Sequence, residues 1–206
     1  MLVVGLTGSI GMGKSTAAAH LRAKGIPVFD ADGEVHALYR GAAVPAIEAA
    51  FPGTTSEAGV DRAKLAAKLG GNAESFRRLD AIVHPLIRAS ERAFVADAHA
   101  RGVAITVLEV PLIYETGLDR DLDAVVVLSA PPDMQRERVM ARPGMTAERL
   151  GALLARQIPD SEKRRRADFV VDTSGPVEAT RRQLDAIVCA LESRTPHAFD
   201  RAWLHG

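Results

Sequence analysis

The chain has one cysteine, Cys189, and a lone cysteine cannot form an internal disulfide, which favours a reducing compartment. It also lacks an excess of either charge, because 26 lysines and arginines balance 26 aspartates and glutamates. Nothing global therefore indicates a nucleic-acid or anionic-membrane partner. No apolar run approaches the length of a membrane span, and no basic leader precedes the apolar N-terminus. From 206 residues, 47% of them hydrophobic, we expect a soluble cytoplasmic protein with one sizeable core.

A glycine-rich segment near the N-terminus carries the strongest local pattern. Residues 8–15 match G-x-x-x-x-G-K-[ST], after a short apolar strand and before a helix. Glycines in such a loop let successive backbone N–H groups face a phosphate, and the helix N-terminus adds positive field. Lys14 would reach the β- and γ-phosphates of a nucleoside triphosphate, and the Ser15 hydroxyl would bind Mg²⁺. The predicted nucleotide-binding residues are Gly8, Gly11, Met12, Gly13, Lys14, Ser15 and Thr16.

Apolar runs that alternate with helical segments predict the core. The runs read as buried strands at residues 2–6, 26–29, 103–109, 124–129 and 169–171. Their lack of polar alternation is typical of a parallel sheet covered on both faces. A last helix is expected over 177–191, with Cys189 in the core. We therefore expect an α/β fold of the P-loop NTPase type, with a three-layer α/β/α core around a parallel sheet.

Two stretches interrupt this alternation. Residues 33–101 contain no convincing strand and predict a run of helices, which suggests an insertion that covers a substrate. Residues 134–167 are rich in arginine and lysine, which fits a mobile lid over phosphates. For the run Lys163–Arg166 alone, a solvated helix face is the favoured interpretation. The expected parts are a nucleotide-binding core (1–32, 102–133 and 168–193), a helical acceptor-binding insertion (33–101), a lid (134–167) and a C-terminal tail (194–206).

Three acids follow predicted strands, where ligands bind in open parallel sheets. Asp30 and Asp32 follow the second strand, and phosphoryl transfer needs a carboxylate that orients and deprotonates the attacking hydroxyl. Asp32 is the better candidate for this base, since Asp30 could simply cap the next helix. Glu109 ends the third strand in the manner of a Walker B acid and is a candidate Mg²⁺ ligand. His84, before Pro85 at an apparent helix entry, is more often structural than functional when judged alone.

Several classes of protein share a phosphate loop. A GTPase switch would carry an [NT]-K-x-D segment, which is missing here, and a mechanical or transport ATPase is usually larger. A small-molecule kinase fits the length, the early acid pair and the cationic stretch. The alternatives are a kinase for a nucleoside or sugar acid, and a nucleotide-binding regulator without transfer activity. A monomer is the favoured expectation.

In combination, five segments resemble the dephospho-coenzyme A kinases, over residues 2 to about 191. These segments, in order, are Gly5–Thr16, Asp30–Asp32, His84–Pro85, Pro111–Glu115 and Gln157–Gly175. The resemblance implies the last step of coenzyme A synthesis, in which ATP donates its γ-phosphoryl group to the ribose 3′-hydroxyl of dephospho-CoA. It also implies a three-part build of core, acceptor domain and lid.

The resemblance further implies roles for individual residues. Asp32 is the expected base on the 3′-hydroxyl, with Asp30 near the acceptor or the metal. Arg138 and Arg142 are the expected lid cations that neutralise charge on the transferred group. Met12 stands where the family usually has serine, and Gly33 directly after Asp32 could loosen the acceptor helix. The acceptor pocket would be lined by His84, Pro111, Leu112, Tyr114 and Glu115.

Overall fold

The computed structural model describes residues 1–204, so the last two residues of the predicted tail, 205 and 206, lie outside the described residues. Contacts divide the chain into two compact units. The first comprises residues 1–29 together with residue 95 onward, and the second is Asp30–Phe94. Within residues 1–204, no helix combines the length and the apolar character needed to cross a bilayer.

A five-stranded sheet forms the centre of the first unit. Its strands are β1 (Leu2–Thr7), β2 (Val28–Asp30), β5 (Ile105–Glu109), β6 (Ala124–Ser129) and β7 (Phe169–Asp172), in the order β2-β5-β1-β6-β7. β1 pairs in parallel with β5 and β6, and β6 pairs in parallel with β7. The predicted α/β fold is confirmed, and the apolar runs locate each strand to within two residues.

Helices cover this sheet. The helices of the unit are α1 (Lys14–Ala23), α6 (Ile113–Thr116), α7 (Pro132–Met140), α8 (Ala147–Leu154), α9 (Asp160–Arg166) and α10 (Val177–Glu192), with a 3₁₀ turn at Leu118–Asp121 and a π-helical turn at Phe199–Trp203. Alternate residues of β1 and β6 pack in one cluster with α1 and α10, and the residues between them are buried as well. Burial of both faces explains the continuous apolar runs of the strands.

Cys189 corrects one prediction, because it is exposed and lies outside the core. The buried residues of α10 are Thr180, Leu184, Ile187 and Leu191, which follow the helical repeat along one face. Cys189 falls between the last two of these and therefore points away from the sheet. The apolar neighbours of Cys189 in sequence suggested burial, but the 3.6-residue period decides which side chains face the core.

The second unit is mainly helical. Its helices are α2 (Ala31–Leu38), α3 (Val44–Ala50), α4 (Arg62–Leu69) and the larger part of α5 (Ala73–Ala100), around a core that includes Ile47, Leu65 and Val83. Asp61 caps α4, since its carboxylate accepts hydrogen bonds from Ala63 N and Lys64 N at 3.0 Å. The prediction that this region has no strand is wrong, because Thr55–Ser56 (β3) pairs antiparallel with Gly59–Val60 (β4).

Pro85 also departs from expectation, since it lies inside α5 and not at a helix entry. A proline in a helix interior removes one hydrogen bond and costs about 3 kcal/mol. The apolar face of α5 nevertheless continues through Leu79, Val83 and Leu86 into the core of the unit. Burial of a large apolar side chain is worth about 1.5–3 kcal/mol, so several of them together outweigh the local defect.

Candidate active site

The phosphate loop links β1 to α1 and is held closely against the sheet. Gly13 is left-handed, with φ of 83°, and stands directly before the first residue of α1, Lys14. Gly8 lies so close to β6 that a Cβ atom there would be 2.6 Å from the carbonyl oxygen of Leu128. Lys14 Nζ donates to the carbonyl of Gly8 at 2.8 Å, and therefore reaches back across the loop. Ser15 and Thr16 follow in the first turn of α1 with exposed side chains.

The Met12 side chain anchors the phosphate loop in the core, where it is only 1% exposed. Its sulfur accepts a hydrogen bond from Ala130 N at 3.1 Å, and its carbonyl lies 3.3 Å from the hydroxyl of Thr173. Gln135 on α7 donates a further hydrogen bond to the carbonyl of Ile10 at 2.8 Å. The loop is thus held in place by the ends of β6 and β7 and by α7.

Glu109 ends β5 with a buried side chain, next to β1 in the sheet. The chain then turns through Pro111, whose carbonyl oxygen accepts hydrogen bonds from Thr7 Oγ1 at 3.2 Å and Lys163 Nζ at 2.9 Å. Glu115, in the short helix α6, accepts from Ile158 N at 2.8 Å and pairs with Lys163 at 3.1 Å. The solvated face expected for Lys163 is therefore wrong, because this side chain is entirely buried.

Tyr114 lies beside Glu115 and is buried, while Leu112 is half-buried. Burial raises the pKa of Tyr114 to about 12, although the positive charge of Arg166 acts in the opposite direction. The Arg166 guanidinium carbon lies 4.3 Å from the centroid of the Tyr114 ring. Tyr114 consequently stays protonated near neutral pH and does not serve as a base there.

The two expected lid arginines differ in their surroundings. Arg138 on α7 is half-buried and donates to the hydroxyl of Thr173 at 3.2 Å and to its carbonyl at 2.6 Å. Arg142, just beyond the end of α7, is exposed. Arg138 is therefore already bound to Thr173 through two of its N–H groups, whereas the Arg142 side chain lies in solvent.

The remaining candidates belong to the second unit. Asp30 ends β2 and caps α2, since its carboxylate accepts from Gly33 N at 2.9 Å. Asp32 lies exposed in the first turn of α2. His84 is exposed on α5, with its Nε2 atom 3.7 Å from the carboxylate of Asp80. The capping role considered for Asp30 is present, and it leaves the Asp32 carboxylate as the candidate base.

A magnesium site of the kind seen in phosphoryl transfer needs few protein ligands. Mg²⁺ prefers oxygen and is usually held by one or two side chains together with substrate phosphates. Ser15 supplies a hydroxyl and Glu109 a carboxylate, which are both hard oxygen donors. In the described part of the chain, no group of three or more His, Cys, Asp or Glu residues is arranged to hold a metal ion. This donor set fits a metal that arrives with a nucleotide.

Comparison with known proteins adds an independent line of evidence. A family model described as dephospho-CoA kinase matches residues 2–178. A dephospho-CoA kinase of Mesorhizobium japonicum is 53% identical over 194 residues, which covers 94% of this chain and 98% of that relative. A Thermus thermophilus protein of known structure aligns with a TM-score of 0.79 and 34% identity, over 92% of this chain and 97% of its own. The structure of a Campylobacter jejuni dephospho-CoA kinase aligns with a TM-score of 0.69 and 26% identity, over 92% and 96% of the two chains.

Proposed function

This chain belongs to the dephospho-CoA kinase family, and we propose that it phosphorylates the ribose 3′-hydroxyl of dephospho-CoA with Asp32 as the base. ATP and dephospho-CoA are then its substrates, and CoA and ADP its products. We place the reaction in the cytoplasm and expect a monomer to carry it out. The observation that supports the proposal most is the position of Lys14, whose ammonium group lies 2.8 Å from the carbonyl of Gly8, inside the phosphate loop.

The loop and the start of α1 would bind the phosphates of ATP. Backbone N–H groups of the loop and of the first turn of α1 point positive charge toward bound phosphate oxygens. Lys14 would exchange its contact with Gly8 for the β- and γ-phosphates. Because Gly8 and Met12 are fixed against β6, the loop keeps its shape when the nucleotide binds. This rigidity lowers the entropic cost of aligning the γ-phosphoryl group.

The transfer step needs one proton acceptor. The 3′-hydroxyl oxygen forms a bond to the γ-phosphorus, while the bond from that phosphorus to the β,γ-bridging oxygen breaks. ADP leaves with the bridging oxygen, and the hydroxyl proton passes to the Asp32 carboxylate. General base catalysis of this kind contributes about 10²- to 10⁴-fold to the rate. Asp30, held by its cap on α2, would lie beside the acceptor or the metal.

Charge on the transferring group requires positive partners. Ser15 and Glu109 would hold Mg²⁺, which when bound neutralises charge on the β- and γ-phosphate oxygens. Arg138 in α7 and Arg142 just beyond its end would add guanidinium groups. A guanidinium group can donate two parallel hydrogen bonds to one phosphate. His84, Pro111, Leu112, Tyr114 and Glu115 are proposed to form the acceptor side.

The direct test is acceptor-dependent turnover. ADP release from Mg-ATP is measured with and without dephospho-CoA, and the product is weighed by mass spectrometry. We expect ADP release that depends on dephospho-CoA and a product heavier by one phosphoryl group. ADP release that is indifferent to dephospho-CoA would overturn the assigned acceptor, and a panel of nucleosides and sugar acids would follow.

Two variants test the assigned residues. Asp32→Asn should lower kcat by about 10²- to 10⁴-fold while ATP binding persists. Glu57→Gln, which changes another exposed acid of the second unit, is the matched control and should leave kcat unaltered. Lys14→Ala should abolish transfer without changing the circular dichroism spectrum. Unaltered turnover in Asp32→Asn would remove Asp32 from the mechanism.

A further inference from the structure

Lys163 is a buried charge to which the proposed reaction assigns no part. Its side chain is 0% exposed, and its ammonium group lies 3.1 Å from Glu115 Oε1 and 2.9 Å from the carbonyl oxygen of Pro111. A buried charge costs several kcal/mol of desolvation, which only good partners offset. The neighbouring Arg165 shows the contrast, since it pairs with Glu162 and its side chain is 75% exposed. Among the basic residues at the end of α9, Lys163 is thus the one whose side chain is buried.

The partners of Lys163 come from separate parts of the first unit. The Pro111 carbonyl also accepts a hydrogen bond from Thr7, the last residue of β1, immediately before the phosphate loop. The Glu115 carboxylate also accepts from Ile158 N, in the segment that leads into α9. A single ammonium group therefore joins α9 to the turn at residues 110–116, and a shared carbonyl joins that turn to the end of β1.

This turn directly follows Glu109, the candidate metal ligand at the end of β5. The Pro111 carbonyl is restrained by two donors from different elements, and without the Lys163 ammonium only the hydrogen bond from Thr7 would remain. Glu115, at the other end of the turn, would lose its positive partner at the same time. A misplacement of about 1 Å in a group that positions reactants can cost about 10²-fold in rate.

We propose that Lys163 is a positioning residue for phosphoryl transfer, acting through the Pro111 carbonyl and the Glu115 carboxylate. It fixes the turn that follows Glu109 and carries the proposed acceptor-side residues, and it holds α9 against that turn. This inference rests on the proposed function, because it assigns Lys163 to the same site. It also gives Glu115, one of the proposed acceptor-side residues, a further role as the charge partner of Lys163.

A purely structural role for Lys163 would give a different pattern in a pair of variants. Removal of one partner of a buried ion pair leaves the other charge uncompensated, whereas neutral replacement of both partners is often tolerated. Lys163→Met should therefore lower Tm, and the double variant Lys163→Met with Glu115→Gln should recover it. Neither variant restores the donor to the Pro111 carbonyl, so positioning stays impaired in both.

The experiment measures Tm, the Kd for ATP, and kcat with ATP and dephospho-CoA. For Lys163→Met we expect kcat to fall about 10- to 100-fold, with the Kd for ATP changed by less than about threefold. For the double variant we expect the Tm of the unmodified protein and a kcat, measured at saturating dephospho-CoA, that stays at least about 10-fold low. Loss of an acceptor contact at Glu115 would instead raise the KM for dephospho-CoA. Arg165→Met is the matched control on the solvent side of α9, and it should match the unmodified protein in every measurement.

Recovery of kcat together with Tm in the double variant would overturn the proposal, as would an unaltered kcat in Lys163→Met. If Lys163→Met does not fold, the double variant decides alone. Failure of the proposed function has a separate signature, namely an unmodified protein whose ADP release ignores dephospho-CoA. The variants are then compared in acceptor-independent ATP hydrolysis, where a loss supports positioning by Lys163 and an equal rate refutes it.

Discussion

The carboxylate of Asp30 accepts a hydrogen bond from Gly33 N at 2.9 Å, and a Cβ atom on Gly33 would lie 2.7 Å from the other oxygen of that carboxylate. Any side chain at residue 33 therefore displaces the Asp30 carboxylate from its cap on α2. Gly33 was expected to loosen the acceptor helix, but its missing side chain is what allows the Asp30 carboxylate to cap α2. A substitution at residue 33 can therefore move the Asp30 carboxylate while it changes the free energy of unfolding only a little.

Gly33→Ala should change stability little and function more. Alanine is preferred to glycine in a helix by about 1 kcal/mol, and loss of an N-cap costs about 1 kcal/mol, so the two effects nearly cancel. The displaced Asp30 carboxylate should raise the KM for dephospho-CoA several-fold. Gly41→Ala, where the nearest atom to a Cβ is 3.7 Å away, is the control and should leave the KM as it is. An equal KM in both variants would place Asp30 away from the acceptor.

Met12→Ala should destabilise the protein by about 2–4 kcal/mol, because it removes a fully buried side chain and deprives Ala130 N of its acceptor. Urea unfolding measures the change. Met140→Ala, in which the replaced side chain is 37% exposed, should cost far less. Equal losses in the two variants would show that the loop does not depend on the Met12 side chain.

The sequence predicts the sheet well and the connections between its elements less well. Parallel strands buried on both faces are continuous apolar runs, so each strand is visible without knowledge of its partners. The hairpin of β3 and β4 has two residues in each strand and carries no measurable period. It depends on Gly59, where a Cβ atom would clash with the carbonyl oxygen of Tyr39. The close approach of residue 59 to Tyr39 cannot be predicted from the residues that surround Gly59 in the sequence.

The candidate site shows the same division between local and distant causes. The phosphate loop and Glu109 are recognisable because their chemistry lies within a few consecutive residues. Lys163 looks like one member of a solvated basic run, since its partners Pro111 and Glu115 lie far away in the sequence. Only a signal that combines the two segments could have indicated its burial. The burial of Met12 is likewise not predictable from the motif, because the phosphate loop uses the backbone of this residue and does not specify its side chain.

Asp185 gives a prediction about acid sensitivity. Hydrogen bonds from Lys24 and then from His20 hold the pKa of Asp185 below its usual 3.8, and this contact joins α10 to α1. Because the folded pKa is depressed, the contribution to stability is complete above the unfolded value and disappears as pH falls through the folded value. The difference in Tm between the unmodified protein and Asp185→Asn should be constant near neutral pH and shrink below about pH 4. A difference that persists in acid would contradict the assigned pairing.

The C-terminal tail, whose role the sequence left open, docks on Asp123. The Asp123 carboxylate accepts hydrogen bonds from Val3 N at 2.8 Å, His197 N at 2.7 Å and Ala198 N at 2.8 Å. Trp203 is buried and donates to the carbonyl of Asp121 at 2.7 Å. The tail therefore closes over the start of β1 and the segment before β6.

Asp123→Asn should lower the free energy of unfolding by about 2–3 kcal/mol, because an amide turns one of its two polar atoms into a donor that faces backbone N–H groups. Urea unfolding at neutral pH measures this loss. Asp200→Asn, in the same tail but exposed, is the control and should change stability by less than about 0.5 kcal/mol. We expect kcat to be equal in both variants at a temperature where both are folded. A loss of kcat in folded Asp123→Asn would connect the tail to the reaction.

Arg138 and Arg142 lie four residues apart, yet their contacts predict different kinetic effects. Arg138 holds Thr173, and Thr173 in turn contacts the carbonyl of Met12 in the phosphate loop. Arg138→Ala should therefore raise the KM for ATP as well as lower kcat, since both the loop support and a cation are lost. Arg142→Ala removes a cation whose side chain is exposed, so we expect an approximately 100-fold lower kcat with little change in the KM for ATP.

Steady-state kinetics with each substrate varied in turn distinguish these outcomes. Arg181→Ala, on α10 and 51% exposed, controls for the removal of a surface guanidinium. If Arg142→Ala retains full kcat while Arg138→Ala loses it, Arg138 is the one of these two arginines that neutralises charge on the transferred group. If Arg138→Ala changes only the KM for ATP, the two hydrogen bonds to Thr173 are its whole contribution, and Arg142 is the cation that acts on the phosphoryl group.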